Sequence, residues 1–250
     1  MVRWLDGLML RKRWVLTGAC ALLLLGGGIV SAEIKTDSFE RTITKSVHAK
    51  YAVILPEGYD SQIEKRWPMI LFLHGSGERG DDPSQLLNMK PLQYMRQTKG
   101  FPFVVVVPRC PGGEQWDPDT LNVLVDEALA KYRIDEDRVY LTGYSMGGTG
   151  TWTFAMAHPE RFAAIAPVCG RVINVLAYKI KDIPIWCFHG DKDDVVNFSF
   201  STEMVAKLKN AGAKDVEFTI YPGARHGIWD ETYSNPKLYE WMLGHKRESK

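Results

Sequence analysis

From about residue 50 onward, short apolar runs alternate with helical patterns, and this limits the fold more than any other feature of the sequence. HAKYAVILP alternates like a half-buried strand, whereas MILFLHG, FVVVVP, RVYLTGYS, FAAIAPV, IPIWCFHG and VEFTIYPG are nearly continuous apolar runs. Between them lie candidate helices at Pro83–Gln97, Thr120–Tyr132, Gly148–His158, Ser199–Ala211 and Pro236–Leu243. Within Thr120–Tyr132, Leu121, Leu124, Val125, Ala128 and Leu129 recur at helical spacing. Pro159, Gly212 and Gly244 supply stops after three of the helices. Continuous apolar strands separated by helices indicate a mostly parallel sheet, because helices then cover both of its faces. The pattern predicts one α/β domain, with an antiparallel hairpin over Phe39–Leu55 at the sheet edge.

With 250 residues, 45% hydrophobic and 24% charged, the chain can bury a sizeable core and has no disorder signature. A formal net charge of +1 leaves no electrostatic footprint for nucleic acid or acidic polymers.

The first 32 residues stand apart. Arg11, Lys12 and Arg13 precede an apolar run from Trp14 to Val30, which ends in the small residues of Val30-Ser31-Ala32. This is the layout of a cleaved secretory signal, with residues 33–250 as a single α/β domain and a secreted or periplasmic location. The other reading is an uncleaved anchor, for which a run of about 17 residues is at the short end. Met9 is an alternative start that gives a more usual signal length. Cys20 raises a lipoprotein reading, but the apolar run continues past it. Removing the segment takes four of the 31 basic residues and one of the 30 acidic ones, leaving a small net negative charge. Cys110, Cys169 and Cys187 remain, an odd number that requires a free thiol or a pairing between chains. Their spacing outlines no metal site and no disulfide framework, and neither a metal nor a cofactor is expected.

In a parallel sheet, chemistry collects at the carboxyl ends of the strands. The runs here end in His74-Gly75-Ser76-Gly77, in Tyr144-Ser145, in His189-Gly190-Asp191-Lys192-Asp193 and in Arg225-His226-Gly227. One rim thus carries a glycine turn, a serine, an aspartate and a histidine.

A serine hydroxyl is a poor nucleophile near neutral pH unless a base takes its proton, a third group orients the base, and donors await the oxyanion. Gly143-Tyr144-Ser145-Met146-Gly147 lies at a strand-to-helix switch, where a Gly-x-Ser-x-Gly turn holds its serine in a strained backbone and side chains at the glycines would collide. Ser145 is therefore the candidate nucleophile. Among the histidines, His226 follows the last strand, and the order Ser…Asp…His favours it as the base. His74 and His189 each end a strand before a glycine and are expected to bond locally and shape their turns. His158 is placed to cap a helix, while His48 and His245 lie in the edge hairpin and the C-terminal tail. The acid is Asp191, Asp193 or Asp194. Asp193 is favoured because, three residues past Gly190, it is far enough out to turn back toward the histidine. The amides of Met146 and Ser76 are the expected oxyanion donors. Arg79, Asp81 and Asp82 either anchor the Ser76 loop through salt bridges or are solvated surface charges.

Taken together, LFLHGSGERG, GYSMGG, HPERFAAIAPVCG, HGDKDDVV and ARHGIW resemble the α/β-hydrolase superfamily over about Tyr51 to Leu243. Within it they are most similar to phospholipase/carboxylesterase and polyhydroxybutyrate-depolymerase-like esterases, the group often labelled predicted peptidases. The resemblance implies a mostly parallel eight-stranded sheet flanked by helices. It also implies a Ser145–His226–Asp193 triad with Ser76 and Met146 as oxyanion donors. Dienelactone hydrolases share the fold but carry cysteine where this chain has Ser145. Trp116, in RCPGGEQW, is either an aromatic wall for substrate or a packed loop anchor. Only a short segment separates Val168 from Ile183, which leaves no room for a helical cap and predicts an open cleft.

The expected activity is hydrolysis of short-chain or polysaccharide-linked esters of acetyl or feruloyl type, with a small-molecule or polymer-linked ester as partner. A prolyl-oligopeptidase-type peptidase would use the same triad but typically adds a large N-terminal propeller. A non-catalytic binding module would lack a triad member.

Overall fold

The computed structural model describes residues 34–247. The expected signal segment lies outside the described residues. The chain divides into Met1–Thr44 and Lys45–Lys250. In the first unit, residues 34–44 are exposed and form no helix or strand.

The second unit holds seven strands: β1 (Lys50–Ile54), β2 (Trp67–Leu73), β3 (Val104–Arg109), β4 (Ile134–Tyr144), β5 (Ala164–Val168), β6 (Ile185–Gly190) and β7 (Val216–Tyr221). Its helices are α1 (Lys90–Gln97), α2 (Pro118–Lys131), α3 (Met146–Ala157), α4 (Ser199–Asn210), α5 (Trp229–Ser234) and α6 (Pro236–Leu243). The strands form one sheet in the order β1-β3-β2-β4-β5-β6-β7, parallel throughout except for β1 against β3.

Alternation along β2 sorts the core onto the two faces of this sheet. Met69, Leu71 and Leu73 join the cluster that holds Leu124, Trp152 and Met204. Ile70 and Phe72 join the cluster that holds Met95, Tyr233 and Leu238. Helices α2, α3 and α4 therefore cover one face, and α1, α5 and α6 the other.

The sheet has seven strands among the described residues rather than eight, because the expected hairpin supplies only β1. Residues 39–49 form no strand, and β1 pairs only with β3. The stretch 39–55 contains no Gly, Pro, Asn or Asp, so it has none of the residues that make a tight hairpin turn. The helix expected over Pro83–Gln97 is divided into a 3-10 helix, Pro83–Asn88, and α1, with Met89 extended between them. Pro91 has no N–H for an intrahelical bond and fits only the first turn of a new helix. Helix α5 escapes a periodicity search because it is only six residues long. Between β5 and β6 there is one short 3-10 helix, Asn174–Ile180, and no cap domain.

The chain goes from β2 outward to β3 and then back across β2 to β4, so the winding direction reverses between β2 and β4. Such a reversal opens a crevice at the carboxyl ends of the two strands. The loops that follow β2 and β4 carry Ser76 and Ser145.

Candidate active site

Ser145 caps the N-terminus of α3 with φ 55°, a left-handed conformation that is costly for a residue with a side chain. Packing enforces it. A Cβ at Gly143 would lie 2.5 Å from the Leu73 carbonyl oxygen, and one at Gly147 would collide with the same atom. The two glycines let β4 and α3 close onto β2, and the turn between them carries Ser145 to the rim. The Ser145 amide donates to Val168 O at 2.9 Å, tying the turn to β5 as well.

His226 follows β7, and its Nε2 lies 2.8 Å from Ser145 Oγ. Its Nδ1 lies 2.7 Å from Asp193 Oδ2. A carboxylate only accepts, so Nδ1 carries the proton there and Nε2 is free to accept from the serine hydroxyl. Trp229 stands edge-on to the imidazole, with ring centroids 5.6 Å apart, and stacks on Tyr144 at 4.6 Å. The sequence reading did not single out this tryptophan. Its position three residues after His226, in a short helix that folds back, was the available signal.

The structure separates the three acid candidates by their partners. Asp193 has a fully buried side chain beside His226. Its Oδ1 accepts from the amides of Val195 and Val196 at 2.9 and 2.8 Å. Burial works against its charge, but the bonds from His226, Val196 and Val195 outweigh that and hold the carboxyl below its usual range. Asp191 accepts instead from the Gly223 amide at 2.7 Å, bracing the turn after β7. Asp194 pairs with Arg225 at the surface.

The loop after β2 is fastened to the loop after β3. His74 Nδ1 lies 2.7 Å from Gly75 O, and the Cys110 amide donates to His74 Nε2 at 3.0 Å. Nε2 therefore accepts and Nδ1 carries the proton. Burial keeps this ring neutral, lowering its pKa to about 4. With Gly75 O held by His74, the trans Gly75–Ser76 peptide aims the Ser76 N–H the opposite way. Arg79 reaches the carbonyls of Ser76 and Glu114 at 3.1 and 3.2 Å. Neither reading of this loop's charges fits Arg79, which anchors the loop through carbonyls instead of salt bridges. Asp82 caps the following 3-10 helix through Ser84, and Asp81 is exposed. Trp116 donates its indole N–H to His74 O at 3.1 Å and packs edge-on against the His74 ring, as a loop anchor would. The Met146 amide opens α3 and has no acceptor within the helix.

Among the remaining histidines, His158 closes α3, with its amide on Phe154 O. His48 is exposed, and His245 sits 3.7 Å from Asp215. Cys110, Cys169 and Cys187 are free and buried. Donor atoms of Cys169, Asp193 and His226 lie within 4.8 Å of one another. A cation there would have to displace the proton between His226 and Asp193 and that of the Cys169 thiol, whose pKa is raised by burial.

The phospholipase/carboxylesterase family profile matches residues 117–236, a span that holds Ser145, Asp193 and His226. The chain is 32% identical over 145 residues to the "Bifunctional acetylxylan esterase/xylanase XynS20E" of Neocallimastix patriciarum, covering 55% of this chain and 21% of that protein. The chain thus spans about a fifth of that relative's length. It is 24% identical over 217 residues to the "Probable feruloyl esterase C" of Aspergillus terreus (strain NIH 2624 / FGSC A1156), covering 81% and 79% of the two chains. A crystal structure of a thermostable esterase superposes with a TM-score of 0.67 at 33% identity, covering 79% of this chain and 59% of that one. Parallel sheet, strained serine turn, family profile and esterase relatives agree: the chain has the α/β-hydrolase fold and is similar, over residues 117–236, to the phospholipase/carboxylesterase family.

Proposed function

We propose that this chain is a secreted serine carboxylesterase. One observation carries the reading: the unbroken series of contacts from Ser145 Oγ to His226 Nε2 at 2.8 Å and from His226 Nδ1 to Asp193 at 2.7 Å. Ser145 Oγ attacks the ester carbonyl carbon while His226 Nε2 takes its proton. The Ser76 and Met146 amides receive the oxyanion, and the N-terminus of α3 adds a favourable field for negative charge. His226 then returns the proton to the departing alcohol, leaving an acyl group on Ser145. Water attacks that acyl-enzyme with His226 again as base, releasing the acid and restoring the serine. Asp193 remains ionised throughout and stabilises the imidazolium when it forms.

The preferred substrates are acetyl or feruloyl-type esters carried on polysaccharide. The names of the two curated relatives support this, as does the short connection between β5 and β6, which leaves the approach to Ser145 without a cap domain. Secretion rests on the pattern of residues 1–32 and is tested by the N-terminal sequence of protein recovered outside the cell.

The activity is tested by turnover of p-nitrophenyl acetate and of acetylated and feruloylated oligosaccharides, compared with dipeptide arylamides. Esters are expected to be cleaved and arylamides not. Wild-type turnover by Ser145→Ala would end the assignment, and preferential cleavage of arylamides would favour a peptidase.

A further inference from the structure

The acid of the triad has a second imidazole beside it. His189 Nε2 lies 3.1 Å from Asp193 Oδ2, the oxygen that also receives the His226 proton, and both side chains are fully buried. The hydrogen on Nε2 is directed mainly at Val196 O, at 3.0 Å. Because that carbonyl only accepts, Nε2 must carry a proton. Nδ1 lies 2.7 Å from the hydroxyl of buried Ser201, which can donate to it. The ring is therefore satisfied as a neutral imidazole, and burial favours that form by lowering its pKa.

The contacts close on themselves. His189 holds Val196 O, the Val196 amide holds Asp193 Oδ1, and the N–H end of the His189 dipole lies beside Asp193 Oδ2. A charged partner in this place would compete with the imidazolium that His226 must become, whereas a neutral ring fixes the carboxylate without opposing its task. We propose that His189, set by Ser201, is a positioning residue that holds Asp193 in the rotamer facing His226. This rests on the proposed esterase reading, because it acts through Asp193 and His226 and touches no substrate.

Two substitutions divide the ring's contacts. In His189→Asn the amide reaches the place of Nδ1 and loses the contacts to Val196 and Asp193. In His189→Gln it reaches the place of Nε2 and keeps them. With the full chain and p-nitrophenyl acetate, kcat per phosphonate-titrated Ser145 is expected to fall about tenfold in His189→Asn with KM unchanged, and His189→Gln to recover most of that loss. A purely structural role would reduce the titratable fraction and leave kcat per site alone. Equal kcat per site in His189→Asn and wild type would overturn the proposal, as would equal losses in both variants.

A second readout does not depend on turnover. The downfield proton resonance of His226 Nδ1–H, assigned by its disappearance in His226→Gln, is expected to shift or broaden in His189→Asn and to return toward its wild-type position in His189→Gln. An unchanged resonance in His189→Asn would overturn the positioning role even if the wild type hydrolysed no ester. An inactive wild type that fails to take a phosphonate at Ser145 would instead end the esterase reading.

Discussion

Asp193 and His226 meet at 2.7 Å although 33 residues separate them, and this bond sets which nitrogen of His226 faces Ser145. With the proton held on Nδ1, the Nε2 lone pair points at the hydroxyl. The activity is expected to depend on that tautomer more than on any packing contact nearby.

Asp193→Asn is expected to reverse the arrangement, because an amide can donate to Nδ1 and leave the proton on Nε2. kcat for p-nitrophenyl acetate should fall by about 10⁴-fold with little change in KM or melting temperature. Asp191→Asn and Asp194→Asn should stay within about threefold of wild type, because those carboxylates bind Gly223 and Arg225 instead. A larger loss in Asp194→Asn than in Asp193→Asn would move the acid to Asp194.

Gly147→Ala forces a methyl group against the Leu73 carbonyl, which belongs to the inner strand β2 and cannot give way as a flexible side chain can. We expect a loss of about 2–3 kcal/mol in urea unfolding. Gly77→Ala, with nothing within 4 Å of the added carbon, serves as the control and should be nearly neutral. Equal stability of the two variants would contradict the close approach of α3 to β2.

His74 makes stability depend on pH. Burial lowers its pKa to about 4 from an ordinary 6.5, so the unfolded chain binds a proton over that window and the native state does not. Stability conferred by the neutral ring is complete above pH 6.5 and declines as the pH falls toward 4. One such group contributes a decline of about 3 kcal/mol. In His74→Asn, which keeps a donor for Gly75 O and does not titrate, the fall measured by urea unfolding at successive pH values should be smaller by that amount. Parallel curves for the two proteins would show that His74 is not the group responsible.

Arg79→Met removes the tie from the Ser76 and Glu114 carbonyls while keeping much of the side-chain volume. The loop that carries the Ser76 amide then has more freedom, and kcat is expected to fall about tenfold at nearly constant melting temperature. Arg79→Lys should recover little, since an ammonium group cannot reproduce the forked guanidinium contact. Full activity of Arg79→Met would show that His74 alone holds the Ser76 peptide.

The succession of strands and helices was legible in the chain's local pattern, because the signals for each lie within a few neighbouring residues. Apolar runs such as FVVVVP and the spacing of Leu121, Leu124 and Val125 need no distant partner to be read. The turn at Ser145 was equally legible, because Gly143 and Gly147 mark it in adjacent residues, although the contact that requires them is with the Leu73 carbonyl of β2. The hairpin expected over Phe39–Leu55 failed because β pairing depends on a partner, and only β3 was available to β1. The choice among Asp191, Asp193 and Asp194 likewise depended on how the loop after β6 turns toward a histidine carried by another strand. His189 looked like a local turn histidine, and only the folding of that loop brought its ring beside the acid. Local propensity is written in adjacent residues, whereas the orientation of a carboxylate between two imidazoles exists only after β6, β7 and α4 have packed.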